Sequence, residues 1–134
     1  MQNKTQNEKN WAVALHLSML SGALIPIASI IAPIAIWLCK RKESKFLDDQ
    51  GKEAINFMIN ELVLALSILT ITTFASFAGM MGPTNGSIAP AFGLILVVVG
   101  LLIGALGVGL PILAAIQCAK DEDFKYPYIY RIIK

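Results

Sequence analysis

The stretch DDQGKEAINFMINELVLALSILT, Asp48–Thr70, decides the fold because it begins as a charged segment and ends as a run suited to hydrocarbon. Asn56, Asn60 and Glu61 lie inside this run. Polar groups are costly inside a bilayer, so these side chains are expected to face protein or water. Two questions follow: whether the segment crosses a membrane, and what its polar residues contact.

The composition of the whole chain favours a membrane protein. The 134 residues are 56% hydrophobic and 15% charged, with a mean hydropathy of +0.66. Soluble domains carry about 25% charged residues, and a chain this small has too much surface to bury so much apolar material. The apolar residues form three continuous blocks: Trp11–Cys39, Ala54–Phe77 and Ala91–Ala119. We therefore expect an all-α, polytopic membrane helical bundle in a single integral membrane domain, 1–134.

The first block can cross the membrane in two ways. As one helix it would reach about 43 Å, against a hydrocarbon core of roughly 30 Å. Gly22 and Pro26 lie at its centre, where proline interrupts a helix. The block is either a helical hairpin or one kinked, tilted span. The hairpin gives four helical segments, at about 11–25, 27–42, 51–78 and 90–119, and the alternative gives three spans.

The distribution of Lys and Arg favours the hairpin. The loop 40–52 and the tail 120–134 are rich in basic residues, whereas the connection Gly79–Pro90 has no charge. The positive-inside rule places the loop and the tail in the cytoplasm. A hairpin then places Lys4 and Lys9 there as well, with both termini cytoplasmic, whereas a single span would put the N-terminus outside.

The same composition argues against several other functions. The net charge of +2, without an aromatic and basic patch, does not suggest nucleic acid. One His and two Cys are too few for a metal site. No set of residues suited to catalysis stands out. We expect no enzyme activity, no cofactor and no small-molecule substrate that the sequence identifies.

A polar stripe runs along the helix of the quoted stretch. At 100° per residue, Glu53, Asn56, Asn60 and Ser67 fall on one narrow face, with Glu61 on its flank. In the hairpin arrangement, His16 lies near the depth of Glu61 and could contact it. The candidate buried polar cluster comprises His16, Asn56, Asn60, Glu61 and Ser67. It is either a proton or substrate relay, or a set of hydrogen bonds between helices.

Two further features predict contacts. Gly100 and Gly104 form a small-xxx-small pattern that permits close helix packing, either within the chain, which we favour, or in a dimer. Tyr126, Tyr128 and Tyr130 in the tail suit the headgroup level of a bilayer. The alternative for the tail is a docking peptide for a cytosolic partner.

The segments NWAVALHLSMLSGALIP, APIAIWLCKRKES, DDQGKEAINF and YPYIYRIIK together resemble a known family. They are similar to small bacterial membrane proteins of unknown function related to the chloroplast inner-envelope translocon channel component of about twenty kilodaltons. The family-like loop motif comprises Gln50, Gly51, Lys52, Glu53 and Asn56, with Gln50 where the family commonly has His. The resemblance implies four membrane helices and, by analogy, a part in protein translocation or insertion.

The sequence thus predicts a non-enzymatic membrane-complex component of the bacterial cytoplasmic (inner) membrane. Its expected partners are the lipid bilayer and other membrane proteins or a second copy of itself. The alternative is a small transporter or ion conduit that uses a buried pair, Glu61 and His16.

Overall fold

A computed structural model describes residues 4–23, 25, 27–81 and 88–134, and the side chains of all of these except 23, 80, 81 and 88–92. These residues form four α-helices and no strand. The helices are α1 (Gln6–Ser18), α2 (Ala28–Lys40), α3 (Lys45–Met81) and α4 (Ile88–Ala119), with a short 3-10 helix at Met19–Ala23 after α1. The all-α prediction is confirmed. The predicted turn at Pro26 lies outside the described residues.

Helix α1 begins five residues earlier than its predicted start at residue 11, because polar residues cap it. The hydroxyl of Thr5 accepts a hydrogen bond from the backbone N–H of Glu8, at 3.3 Å. The Glu8 carboxylate accepts one in return from the backbone N–H of Thr5, at 2.7 Å. This reciprocal capping box satisfies two N–H groups that a helix start leaves open, and it extends the helix into the polar N-terminal segment.

Helix α3 also begins before its predicted start, at Lys45 rather than residue 51. Ser44 precedes it and accepts a hydrogen bond from the Leu47 N–H, at 3.2 Å. An ion pair between Asp48 and Lys52, one turn apart, supports the same turns. The predicted loop 40–52 is therefore mostly helical, because capping and pairing stabilise charged residues that would otherwise indicate a loop.

The chain divides into two compact units. The first, here called the cap unit, comprises Met1–Asn60 and Val108–Lys134, and the second, the hairpin unit, is Glu61–Gly107. The expectation of a single membrane domain stays a prediction.

Two of the described helices are long and apolar enough to cross a membrane, over Lys45–Gly79 and Gly93–Ala119. In the hairpin unit α3 contributes residues 61–81 and α4 contributes 88–107. Each part is about 30 Å long, close to the hydrocarbon thickness of a bilayer. Large apolar side chains such as Leu69, Phe74 and Leu101 are exposed there. Hydrocarbon solvates such a surface and water does not, which agrees with the predicted helical membrane bundle.

The core of the cap unit brings distant parts of the chain together. Leu15 from α1, Leu47 and Phe57 from α3, and Cys118 from α4 are buried in one cluster. Tyr126 joins them from the segment after α4, which is neither helix nor strand. This C-terminal segment, residues 124–133, is therefore part of the folded cap unit.

Candidate functional site

His16 lies at the centre of the cap unit and is fully buried. Its Nδ1 is 3.0 Å from the hydroxyl oxygen of Tyr126, and its Nε2 is 3.1 Å from Oε1 of Gln50. The Gln50 amide nitrogen donates to the carbonyl of Phe124, which leaves its oxygen facing His16. Because that oxygen can only accept, Nε2 carries the proton and Nδ1 accepts from Tyr126.

Burial also keeps the imidazole neutral. Removal from water lowers the pKa of His16 from 6.5 to about 4, while the Gln50 hydrogen bond and the Glu53 charge oppose this shift. His16 lies outside the two long apolar helices. At neutral pH it therefore acts as a fixed donor and acceptor between α3 and the C-terminal segment.

Tyr126 fills the rest of this site. Its ring stacks on Phe57, with centroids 4.2 Å apart, and meets Phe124 edge-on at 4.8 Å. The sequence placed Tyr126 at the headgroup level together with Tyr128 and Tyr130. That placement is wrong for Tyr126, which is 1% exposed because its ring packs in the core. Tyr128 and Tyr130 are exposed, and their placement at the headgroup level stays a prediction.

Glu53 begins the polar stripe and anchors two points of the C-terminal segment. Its Oε2 accepts a hydrogen bond from the backbone N–H of Tyr126, at 3.1 Å. The Arg131 guanidinium binds the same carboxylate through both oxygens, at 2.6 and 3.2 Å. Such a two-point contact fixes both distance and orientation. The carboxylate also raises the pKa of Arg131, so this partner stays charged.

Asn56 binds the end of the segment through its backbone. Its Oδ1 accepts from the N–H groups of Ile132 and Ile133, at 3.0 and 2.8 Å. Its Nδ2 donates to the Ile133 carbonyl, at 2.8 Å. One buried amide thus satisfies three backbone groups that neither a helix nor a sheet satisfies.

Asn60 repeats this pattern one turn further along α3. Its Oδ1 accepts from the Tyr130 N–H at 3.0 Å, and its Nδ2 donates to the Tyr130 carbonyl at 2.8 Å. Glu53, Asn56 and Asn60 of the stripe therefore contact a segment of the same chain that has no regular structure. The sequence left open a relay or hydrogen bonds between helices. Helical spacing alone could not identify this partner.

Ser67 and Glu61 belong to the hairpin unit. The Ser67 hydroxyl donates to the Val63 carbonyl of its own helix, at 2.7 Å. The Glu61 carboxylate lies against Gly107 of α4, where an added Cβ would overlap its Oε1. Glycine at 107 thus permits close approach of the two helices. A contact between His16 and Glu61, and a relay through them, stay predictions.

The glycines singled out from sequence differ in their surroundings. A Cβ built at Gly100 or Gly104 would meet nothing within 4 Å among the described residues. Packing within the chain is therefore not seen at these two positions, and the dimer interface stays a prediction. A Cβ at Gly51 would overlap the Trp37 indole, whose Nε1 donates to Asp48 at 3.0 Å. Gly51 is thus inside α3, where it makes room for Trp37.

Sequence reasoning missed three parts of the site: Tyr126 as a core residue, Arg131 as the partner of Glu53, and Trp37 as the neighbour of Gly51. The one available signal was the stripe itself. A row of amides on a helix predicts a partner with unsatisfied backbone groups, and a segment without regular structure provides them. No described group of three His, Cys, Asp or Glu residues is placed to hold a metal ion.

The fold and the site define a class: a small helical membrane protein with two long apolar helices and a polar clamp that holds its own C-terminal segment. The chain belongs to the magnetosome magnetite crystal formation protein family, whose model matches residues 7–133. The match supports the predicted kinship with small bacterial membrane proteins. No comparison supports a link to the chloroplast translocon component. No curated protein and no solved structure matched the chain.

Proposed function

We propose that the chain is a non-catalytic membrane component that contributes to magnetite crystal formation by associating with other membrane proteins. The family's description, which names magnetite crystal formation, supports the first part of this proposal. The main support for this proposal is that the polar groups of the site bind the protein's own C-terminal segment. His16, Gln50, Glu53 and Asn56 bind the chain's own C-terminal segment. They therefore act as a clamp, and the folded cap unit presents an ordered surface to partners.

Two of the three acidic residues after α4, Asp121 and Asp123, are paired with lysines, which argues against direct binding of iron by these two side chains. Asp123 pairs with Lys4 at 2.8 Å, and Asp121 pairs with Lys9 at 3.2 Å. The carboxylates of Asp121 and Asp123 thus each have a cationic partner from the N-terminal segment, which weakens their attraction for a metal ion.

These ion pairs also support a topology. They join the N-terminal segment to the residues directly after α4, which requires both to lie on the same side of the membrane. We propose that both are cytoplasmic, where the positive-inside rule places the tail and the loop between α2 and α3. This arrangement fits a first apolar block that forms an N-terminal helical hairpin. It does not fit the alternative in which that block crosses the membrane once and the chain has three spans.

Cysteine labelling tests the topology. In a Cys39→Ala background, where Cys118 stays buried, Asn7→Cys and Lys134→Cys each introduce one accessible thiol. A membrane-impermeant maleimide should label neither variant in intact spheroplasts and both after lysis. Labelling of Asn7→Cys alone from outside would contradict a shared side.

The function is tested by complementation. A magnetite-forming bacterium that lacks its own member of this family should form altered crystals, and the full chain should restore their size in electron micrographs. Asn56→Leu with Asn60→Leu, which releases the C-terminal segment, should restore them poorly, whereas Ser67→Ala should restore them fully. Crystals that stay altered with the well-expressed wild-type chain would contradict the proposal.

A further inference from the structure

The turn between α2 and α3 concentrates positive charge. Here called the basic turn, it comprises residues 40–45, with Lys40, Arg41, Lys42 and Lys45 against one acid, Glu43. Glu43 is already paired with Lys40, at 2.7 Å. The turn therefore retains a positive excess at its surface.

Two of these cations lie over tryptophan rings. The Lys40 ammonium is 4.4 Å from the centroid of the Trp11 ring, and the Arg41 guanidinium carbon is 5.2 Å from that of Trp37. Both distances are typical of cation–π contacts. The Trp37 ring is held in turn by its hydrogen bond to Asp48. The indoles therefore lie beside the basic turn and orient its first two cations.

The other two cations face outward. Lys42 and Lys45 are exposed, and neither forms an ion pair with a described residue. Ammonium groups in this position are available to an external anion. Because each carries three donors, a phosphate group is a suitable partner.

The surface beside the basic turn is apolar. On α2, Ile31 and Leu38 are both at least half exposed, and Leu38 is only two residues before Lys40. The exposed surface thus changes from apolar to cationic within one helical turn, and the indoles of Trp11 and Trp37 lie at this boundary. This order matches the acyl, interfacial and headgroup levels of a lipid leaflet.

We propose that the basic turn binds the headgroup of an anionic phospholipid, with the phosphate held by Lys42 and Lys45 and the acyl chains along the exposed face of α2. An acidic protein would match the charge but not the adjoining Ile31 and Leu38 surface. The inference concerns lipid choice and does not depend on the proposed role in crystal formation.

A lipid titration tests this site. The full chain in mild detergent is titrated with short-chain phosphatidylglycerol or short-chain phosphatidylcholine, and bound lipid is counted by native mass spectrometry. Phosphatidylglycerol should bind more tightly. A lysine near an anionic headgroup strengthens binding about fivefold, so Lys42→Gln with Lys45→Gln should weaken phosphatidylglycerol binding about 30-fold. The same change should weaken phosphatidylcholine binding much less, because the choline ammonium offsets the charge of its phosphate.

The matched control removes two exposed lysines elsewhere, with Lys120→Gln and Lys125→Gln. It should retain wild-type binding, with the helical content of all variants equal by circular dichroism. An equal loss in this control, or equal affinity of the wild-type chain for the two lipids, would overturn the proposal. Tighter binding of polyglutamate than of phosphatidylglycerol would overturn it in favour of an acidic protein partner.

Discussion

His16 Nδ1 lies 3.0 Å from the hydroxyl oxygen of Tyr126, although the two residues are 110 positions apart in the chain. This buried hydrogen bond joins the N-terminal helix to the C-terminal segment. Its environment makes it costly to break, because a buried acceptor without a partner loses the hydrogen bond that water would provide.

Tyr126→Phe should therefore lower the free energy of unfolding by about 1–3 kcal/mol, the cost of an unsatisfied buried polar group. Denaturation in mixed micelles, followed by circular dichroism, measures this change. Tyr128→Phe is the matched control, because Tyr128 is fully exposed and its change should have no effect. Equal stability of the two variants would show that the hydroxyl of Tyr126 contributes nothing to the fold.

Asn56→Leu should release the end of the C-terminal segment. The change keeps the side-chain size but removes three hydrogen bonds to Ile132 and Ile133. A loss of about 2 kcal/mol for this group would raise the open fraction of the segment about thirtyfold. Trypsin cleavage after Arg131, timed by mass spectrometry, should accelerate accordingly. Ser67→Ala, which affects only a bond within α3, should leave the cleavage rate unchanged.

Acid should destabilise the cap unit through His16. Burial lowers its pKa from 6.5 to about 4 in the folded state. The unfolded chain therefore binds a proton first, and stability falls as the pH drops from about 6.5 toward 4. The loss attributable to this group approaches about 3 kcal/mol at 1.36 kcal/mol per unit of pKa. The contribution of His16 is measured as the difference in the free energy of unfolding between wild type and His16→Gln at each pH. A difference that stays constant over this range would contradict a buried neutral imidazole.

Gly51→Ala should displace the Trp37 indole. The added methyl group would overlap the ring, and such overpacking costs about 1–3 kcal/mol. Tryptophan fluorescence should shift to longer wavelength in a Trp11→Phe background, where Trp37 is the remaining indole. Gly104→Ala should leave emission and monomer stability unchanged or improved, since nothing described lies near that position. An unshifted spectrum for Gly51→Ala would argue against the Trp37 contact.

The sequence predicted the helical features well because they depend on local periodicity. The apolar blocks indicated α3 and α4, and helical spacing put Glu53, Asn56 and Asn60 on one face. Their partners could not be predicted in the same way. Tyr130 and Ile133 lie in a segment without periodic structure, some 70 residues beyond the stripe, and no local pattern encodes that pairing.

The earlier start of α3 has a related explanation. The residues from Lys45 to Lys52 have the composition of a loop, and their helical state depends on a cap at Ser44 and on the Asp48–Lys52 pair. The predicted start of the helix at residue 51 put Gly51 at the helix boundary, whereas the structure places it inside α3. A glycine at this position leaves room for the Trp37 indole. This is a tertiary contact, which local sequence does not reveal.

The central claim is that Glu53, Asn56 and Asn60 of the polar stripe hold residues 124–133 as part of the folded protein. Hydrogen–deuterium exchange of this segment, followed by mass spectrometry in detergent, tests it most directly. The backbone N–H groups of Tyr126, Tyr130, Ile132 and Ile133 donate to stripe side chains. They should exchange at least about tenfold more slowly than in a free peptide, and Asn56→Leu should remove most of that protection at Ile132 and Ile133. Exchange of the wild-type segment at the free-peptide rate would contradict the account.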